Sequence, residues 1–352
     1  MKTIITASLS DELGAYLSAT PFDRIFVLTD TNTREHCLPV LRNVPQIADA
    51  RVICIAAGDL NKSLRQLSDV WTVLSNDRAT RHSLLVNLGG GMASDLGGFA
   101  AATFKRGLRT LNIPTTLMAA VDAAVGGKTG INFNGLKNEV GAFHSPIAVF
   151  ISSLFFRTLD RSNFLSGYAE MLKHALLEGD STLADILSFD LDKDLQDYAR
   201  LNRMLAESVS IKEKIVEADP LEKSARKALN LGHTVGHAIE SMSFADGRPL
   251  LHGCAVALGL VCELYISFKN CGFPSSKLMD IAGFIKAHYP PYAIGCSRYG
   301  ALYELMRHDK KNRGDAVSFA LLAQVGQARV DESVAQALVE ESLDFYHDFF
   351  GL

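Results

Sequence analysis

The feature that most constrains this chain is an apolar run at residues 84–88 (LLVNL) that passes directly into Gly89-Gly90-Gly91-Met92-Ala93-Ser94-Asp95-Leu96-Gly97-Gly98. A buried strand followed by glycines and then by helix-forming residues reads as a strand–turn–helix unit. Its turn lacks side chains, so its backbone can approach a pyrophosphate closely. The pattern misses the dinucleotide fingerprint GxGxxG at the third glycine, where Ser94 stands. A tight turn with no ligand therefore stays open as an alternative. Two similar runs precede it, at 24–29 (RIFVLT) and 52–56 (VICIA), with helical spacing over 63–74. Strands alternating with helices predict a parallel sheet covered on both faces, with ligands at the carboxyl ends of its strands.

From about residue 154 the periodicity becomes helical, as at 167–177, 201–217 and 233–242. At roughly 150 residues per domain, the 352 residues make two domains. The expected architecture is an α/β dinucleotide-binding domain over 1–156 and an all-α metal- and substrate-binding domain over 157–352. Neither a repeat nor a Pro/Gly/Ser-rich linker separates them, so they are expected to pack around one cleft.

The formal charge of −4 leaves no basic surplus for nucleic acid or an anionic membrane. Anionic small molecules must then be held by local clusters of Lys and Arg. The six cysteines form no CxxC pair and are expected to be free thiols in a reducing cytoplasm. Asp11 and Glu12 interrupt the N-terminus before a signal-peptide core could form. Asn87, Asp95, Asp122 and Glu263 break the longest apolar stretches short of a membrane span.

A second glycine segment, Asp122-Ala123-Ala124-Val125-Gly126-Gly127-Lys128-Thr129, resembles the end of a P-loop. Asp122 occupies the place of the first P-loop glycine, which excludes that nucleotide-binding loop. What remains is a loop offering backbone donors, Lys128, Lys137 and the Asn138 amide to an anion, with one carboxylate near a substrate hydroxyl. A solvated basic loop is the plain alternative.

Asn230-Leu231-Gly232-His233-Thr234-Val235-Gly236-His237 places two imidazoles four residues apart, on one helix face. His252 follows, and Glu170 can supply an oxygen. Two nitrogens and a carboxylate oxygen leave an open position on a metal, which lets it polarise a substrate oxygen. The residues alone leave His233 against His237 undecided. Lys173, Lys212, Arg226 and the pair Lys310-Lys311 form a basic set, each of which alone reads most simply as surface charge.

Taken together, these segments resemble the 3-dehydroquinate synthase family, within the sugar phosphate cyclases. The matching motifs are GGGxxxDLxGFxAAT at 89–103, Arg106, IPTTL at 113–117, VDxxVGGKTxIN at 121–132, LKNxxGAF at 136–143, GxAExxKH at 167–174, LNLGHTxGHAIE at 229–240 and LHGxAVAxG at 251–259. The resemblance runs in order from about Asp30 to Asn312. It implies that Glu170, His233 and His252 hold one divalent metal, zinc or cobalt. It also implies that His237 faces the substrate with Asp122, Lys128, Asn138, Lys173, Lys212, Glu222, Arg226 and Asn230. A lysine of Asp309-Lys310-Lys311 lies near the phosphate, and Arg106 reaches the site of a partner subunit in a homodimer. The NAD positions implied are Asp30, Asn32, Asp59, Lys62, Gly89, Gly90, Gly91, Met92, Asp95, Thr115, Thr116, Asp122, Lys128, Lys137, Thr158 and Leu159. Asp59, Cys254 and Ser224 depart from the family's usual glutamate, glutamate and glycine.

The implied reaction converts 3-deoxy-D-arabino-heptulosonate 7-phosphate into 3-dehydroquinate and phosphate. It proceeds by transient oxidation with NAD, phosphate elimination, reduction and intramolecular aldol closure, a cyclising carbon–oxygen lyase of the shikimate route to chorismate and the aromatic amino acids. Three rivals remain: a cyclase acting on another sugar phosphate, a metal-dependent polyol dehydrogenase that releases reduced cofactor, and a non-enzymatic nucleotide-binding protein.

Overall fold

The computed structural model describes residues 2–134, 136–190, 197–307 and 317–352, and its chain divides into two compact units. The first comprises Met1–Asp160 with Asp197–Val209, the second Arg161–Gln196 with Ser210–Leu352.

The first unit is built on eight strands: β1 (Lys2–Ile5), β2 (Ile25–Asp30), β3 (Arg51–Ile55), β4 (Leu84–Gly89), β5 (Arg109–Pro114), β6 (Lys128–Phe133), β7 (Leu136–Phe143) and β8 (Ala148–Ile151). Six of them form one sheet in the order β1-β8-β5-β4-β2-β3, with every neighbouring pair parallel. Its helices include α1 (Leu9–Ala19), α2 (Thr31–His36), α3 (Leu38–Leu41), α4 (Pro45–Ala48), α5 (Leu64–Asn76) and α6 (Gly91–Thr103). Helix α5 starts where Ser63 accepts a hydrogen bond from Gln66 N, and it buries Leu67, Val70 and Leu74 along one stripe. That stripe joins Phe26, Leu28, Ile53, Ile55 and Leu85 from the sheet and Leu96 and Phe99 from α6 in a single core.

The chain runs outward from β2 to β3, whereas α6 leads from β4 to its other neighbour, β5. The paired strands β2 and β4 thus flank a topological switch point. Their carboxyl ends are Asp30 and Gly89, where an open parallel sheet leaves a crevice for ligand.

One expectation needs correction. The segment after Gly126-Gly127 is an antiparallel hairpin, β6–β7, in which Lys128 pairs with Phe143 and Gly130 with Gly141. A Cβ at Gly141 would lie 2.1 Å from Thr129 O, so the glycines that read as loop permit close strand approach.

The second unit is mostly helical. It holds α7 (Arg161–Glu178), α8 (Asp180–Leu187), the later part of α9 (Tyr198–Ala218), α10 (His233–Ala245), α11 (His252–Cys271), α12 (Ser275–His288), α13 (Tyr299–Arg307) and α14 (Gln336–Phe350). It also contains an antiparallel hairpin, β9 (Ser318–Gln324) with β10 (Gln327–Ser333), that the helical periodicity did not predict. Helix α11 is long and apolar enough to cross a membrane by composition alone. It is instead the core of this unit, buried at nearly every position from Gly253 to Ser267 and packed by α7, α10, α12, α14 and β9.

Glu263, which interrupts the apolar run of α11, is fully buried and accepts hydrogen bonds from Gly232 N (2.6 Å) and Val235 N (2.9 Å). It caps α10 from a neighbouring helix, because Gly232, at φ 80°, has no side chain to do so. The first turn of α10, which carries His233, is thereby fixed.

Candidate active site

In the first unit part of the expected cofactor set, Asp30, Gly89, Gly90, Gly91, Thr115 and Thr116, gathers around the switch point. Gly90 precedes α6, and the first turn of that helix has no side-chain cap, so its backbone donors and dipole point where an anion would sit. The space is tight at all three glycines: an added Cβ would clash with Ala93 Cβ at 2.6 Å from Gly89 and crowd Thr116 Cγ2 at 3.3 Å from Gly90 and Ala123 Cβ at 3.1 Å from Gly91. Gly91 therefore lies against the turn Ala119–Ala123 that carries Asp122. Met92 packs on the core, Thr115 N donates to Gly89 O, and Thr116 Oγ1 accepts from Ala119 N.

Asp30 serves the fold directly: its Oδ1 accepts from Asn32 N and Thr33 N, both at 2.9 Å, capping α2 at the end of β2. Lys62 is only 3% exposed and donates to Asp95 Oδ2 at 2.5 Å and to Asn138 Oδ1. Lys137 Nζ lies 3.3 Å from Asp59 Oδ2, and Asn132 Nδ2 donates to Asp59 O. Lys62, Asp59, Asp95, Lys137 and Asn138 thus form one network that ties the β6–β7 hairpin to the N-terminal side of α5. Asp59, shorter than the usual glutamate, reaches Lys137 through this network. Thr158 and Leu159 close the turn after β8, two strands from β4 in sheet order.

Arg106 lies apart. It sits at φ 64° just beyond the C-terminal end of α6, about 20 Å along that helix from the glycine turn.

In the second unit the metal candidates converge. His233 begins α10, His252 begins α11 and Glu170 lies in α7. Glu170 Oε1 is 3.5 Å from His233 Nε2 and 3.9 Å from His252 Nε2. Ligands about 2.1 Å from a tetrahedral metal lie roughly 3.4 Å apart, so both distances from Glu170 are close to coordination spacing. Glu170 is fully buried, and its Oε1 accepts no hydrogen bond from the described residues; its other oxygen pairs with Lys173. A buried carboxylate oxygen facing two imidazoles fits a bound cation.

The hydrogen bonds on the far side of each ring agree. His233 Nδ1 is 3.1 Å from Leu231 O, and His252 Nδ1 is 3.1 Å from Glu240 Oε2. Each partner is an acceptor, so Nδ1 carries the hydrogen and Nε2 turns its lone pair toward Glu170.

A second grouping competes: one atom from each of His233, His237 and His252 falls within 4.8 Å of the others. The set with Glu170 is preferred, because a cation there neutralises a fully buried carboxylate, which the three-histidine set leaves unused. His237, one turn beyond His233, then lies beside the candidate ligands but outside their set, its ring centroid 5.2 Å from that of His233.

The basic residues are not surface charge. Lys173, Lys212 and Arg226 are 1%, 5% and 3% exposed. Arg226 and Glu222 belong to a turn organised by Asp219, whose carboxylate accepts from the backbone N–H groups of Lys223, Ser224 and Arg226. Those backbone donors hold the Asp219 carboxyl below its usual pKa. Ser224, in place of the usual glycine, adds its hydroxyl to the same carboxylate. Arg226 also donates to Pro220 O at 2.8 Å, and Asn230 Nδ2 donates to Glu222 Oε1 at 3.1 Å. Cys254, in place of the usual glutamate, is buried, and desolvation pushes its thiol up to about 11. Lys310 and Lys311 lie outside the described residues.

Sequence reasoning passed over Asp219, Glu240 and Glu263. Glu240 was legible: it lies seven residues after His233 and three after His237, on the same helical face.

Models of two family segments match the chain, 3-dehydroquinate synthase N-terminal over residues 52–166 and 3-dehydroquinate synthase C-terminal over residues 167–312. A 3-dehydroquinate synthase of Parabacteroides distasonis is 55% identical over 351 residues, covering 100% of this chain and 99% of that protein. Among solved structures, the 2-epi-5-epi-valiolone synthase of Streptomyces hygroscopicus, with NAD+ and Zn2+ bound, superposes with a TM-score of 0.87 at 23% identity, covering 99% of this chain and 96% of that one. A 2-deoxy-scyllo-inosose synthase complexed with carbaglucose-6-phosphate, NAD+ and Co2+ gives 0.83 at 21%, covering 97% and 95%. At such identities the structural likeness carries the fold; the sequence matches carry more. Spanning both family segments, and with a relative alike from end to end, the chain belongs to the 3-dehydroquinate synthase family.

Proposed function

We propose that this protein is an NAD- and metal-dependent 3-dehydroquinate synthase. It takes 3-deoxy-D-arabino-heptulosonate 7-phosphate to 3-dehydroquinate and inorganic phosphate as a cyclising carbon–oxygen lyase of the shikimate pathway, in the cytoplasm. The observation that carries this reading is the convergence of Glu170, His233 and His252 in a unit that also buries Lys173, Lys212 and Arg226. A substrate with a carboxylate and a phosphate needs such cations, and a polyol does not.

When bound, the dinucleotide supplies a reversible hydride acceptor and the metal a Lewis acid for vicinal hydroxyls. The chain's own residues do the positioning. The α6 N-terminus, Asp30, Asn32, Asp59, Lys62, Asp95, Thr115, Thr116, Lys137, Thr158 and Leu159 hold the dinucleotide. The family resemblance assigns substrate binding to Asp122, Lys128, Asn138, Lys173, Lys212, Glu222, Arg226 and Asn230. Charge-assisted hydrogen bonds from these groups keep the reacting carbons in one pose through successive steps. His237, beside the proposed metal ligands but outside their set, moves a proton at its ring nitrogen.

The placement of Arg106 at the far end of α6 supports a homodimer in which it serves the partner's phosphate site. An Arg106→Ala variant tests this: it should lose phosphate release without losing metal. Full activity in that variant removes the role. Replacement of His237 by alanine should depress turnover while metal content is kept, and unchanged turnover removes the proton-transfer role.

A further inference from the structure

The structure assigns to Glu240 the role of holding His252 in the protonation form and orientation that bind metal. This rests on the metal centre proposed above and adds a residue to it.

His252 is the least enclosed of the three candidate ligands. Its side chain is 32% exposed, against 10% for His233 and 0% for Glu170. It also stands at the first position of α11, after Leu251, which provides no side-chain cap. A ring at such a junction has rotamer freedom to lose before it can coordinate. Glu240 removes that freedom from one side. It is 4% exposed, on the α10 face that carries His233 and His237, and its Oε2 lies 3.1 Å from His252 Nδ1.

The backbone around it is braced in the same direction. Ser243 Oγ donates to Glu240 O at 2.7 Å and accepts from Leu250 N at 3.0 Å. The segment leading into His252 is thereby drawn back onto α10. Glu240 meets His252 through its side chain and, through Ser243, secures the residue two positions before it.

The chemistry of the partner matters as well as its position. A carboxylate only accepts, so Nδ1 keeps its hydrogen, the Nε2 lone pair faces Glu170 Oε1, and the imidazole becomes the more basic ligand. His233 has a neutral counterpart, the Leu231 carbonyl. Glu240 thus gives the His252 ring an anionic acceptor where His233 has a carbonyl. It acts through His252 and is a positioning residue.

The test is zinc affinity of the full-length protein, measured at fixed pH by competition with a chromogenic chelator. Glu240→Gln should weaken zinc by about 10- to 100-fold, the range for outer partners of metal-bound histidines, and should shift the visible absorption of the cobalt-loaded protein. In a double-mutant cycle, Glu240→Gln added to His252→Ala should cost almost nothing further, because its effect passes through that ring. Zinc affinity of Glu240→Gln within about twofold of wild type, or losses that simply add in the double variant, would overturn the assignment. Should Glu240→Gln fail to fold, the same cycle with Glu240→Asp decides, since its shorter side chain keeps the charge and gives up the reach to Nδ1. A wild-type protein that takes up no zinc, or whose zinc is unaffected by His233→Ala, would instead remove the metal centre itself.

Discussion

Gly259 of α11 packs backbone to backbone against Gly236 of α10: a Cβ added to Gly259 would lie 2.6 Å from Gly236 N and 2.3 Å from Gly232 O. These two helices carry three of the histidines at the candidate site, so their close approach sets the site's dimensions. Gly259→Ala should force them apart and destabilise the protein by about 1–3 kcal/mol or more, with weakened metal binding. Gly283→Ala, in α12, is the control. Nothing lies within 4 Å of its added Cβ, and removing a helical glycine should stabilise by roughly 0.5–1 kcal/mol. Urea denaturation of both variants, with metal titration of the first, checks the pair.

The preference for Glu170 over His237 as third ligand has a direct consequence. Glu170→Gln should lower metal affinity by more than the ~100-fold ceiling for outer partners. It should also leave Lys173 buried without its anion, a loss of about 3–5 kcal/mol where a buried pair is broken on one side. His237→Ala should keep full metal stoichiometry. Metal analysis after dialysis separates the two; loss of metal from His237→Ala with retention in Glu170→Gln would favour the three-histidine set.

Asp246 accepts two hydrogen bonds from Arg298, at 2.7 and 2.9 Å, and one from Tyr292, which lower its pKa from 3.8 to about 2. Since the folded value is depressed, its stabilising contribution is complete above the unfolded value and is lost as pH falls through about 2. Asp246→Asn should therefore be less stable near neutrality and show a shallower loss of stability between about pH 4 and pH 2. Urea midpoints across that window measure it; parallel curves for wild type and variant would remove the linkage.

The six cysteines are unpaired and differ in access. Cys54 and Cys296 are exposed, whereas burial pushes Cys37 and Cys254 up to about 11 and Cys262 higher still. A thiol reagent at about pH 8 should label Cys54 and Cys296 first and Cys271 more slowly. The other three should react only after unfolding, and peptide mapping of a time course reads the order.

How much of this was legible depends on what the residues had to do. Strands β2, β3 and β4 announce themselves as mainly apolar runs. Strands β2 and β4, inside the parallel sheet, are buried on both faces, whereas β3, at its edge, keeps an apolar run although Arg51 and Cys54 are exposed. Strand β5 hides behind Asn112 and Pro114, and the Asn112 amide is satisfied by tertiary partners, Asn87 on the neighbouring strand and Ala124 O in the turn that follows Ala119–Ala123. Strand β1 is four residues long at a sheet edge. The β6–β7 hairpin read as a loop because β7 is largely exposed and carries little apolar alternation. The β9–β10 hairpin was lost in a half dominated by helical periodicity. Within the site, His233 and His237 are indistinguishable by spacing. What favours His233 is the position of Glu170, 63 residues earlier, whose Oε1 lies 3.5 Å from His233 Nε2. The burial of Lys173, Lys212 and Arg226 is likewise a tertiary fact.

The most direct test is phosphate release from 3-deoxy-D-arabino-heptulosonate 7-phosphate, with and without NAD and after metal chelation, while absorbance of reduced NAD is followed. Phosphate release that needs both NAD and metal, with no net NADH, is the expected result. NADH accumulating with turnover, or phosphate release indifferent to chelation, would contradict the proposed synthase.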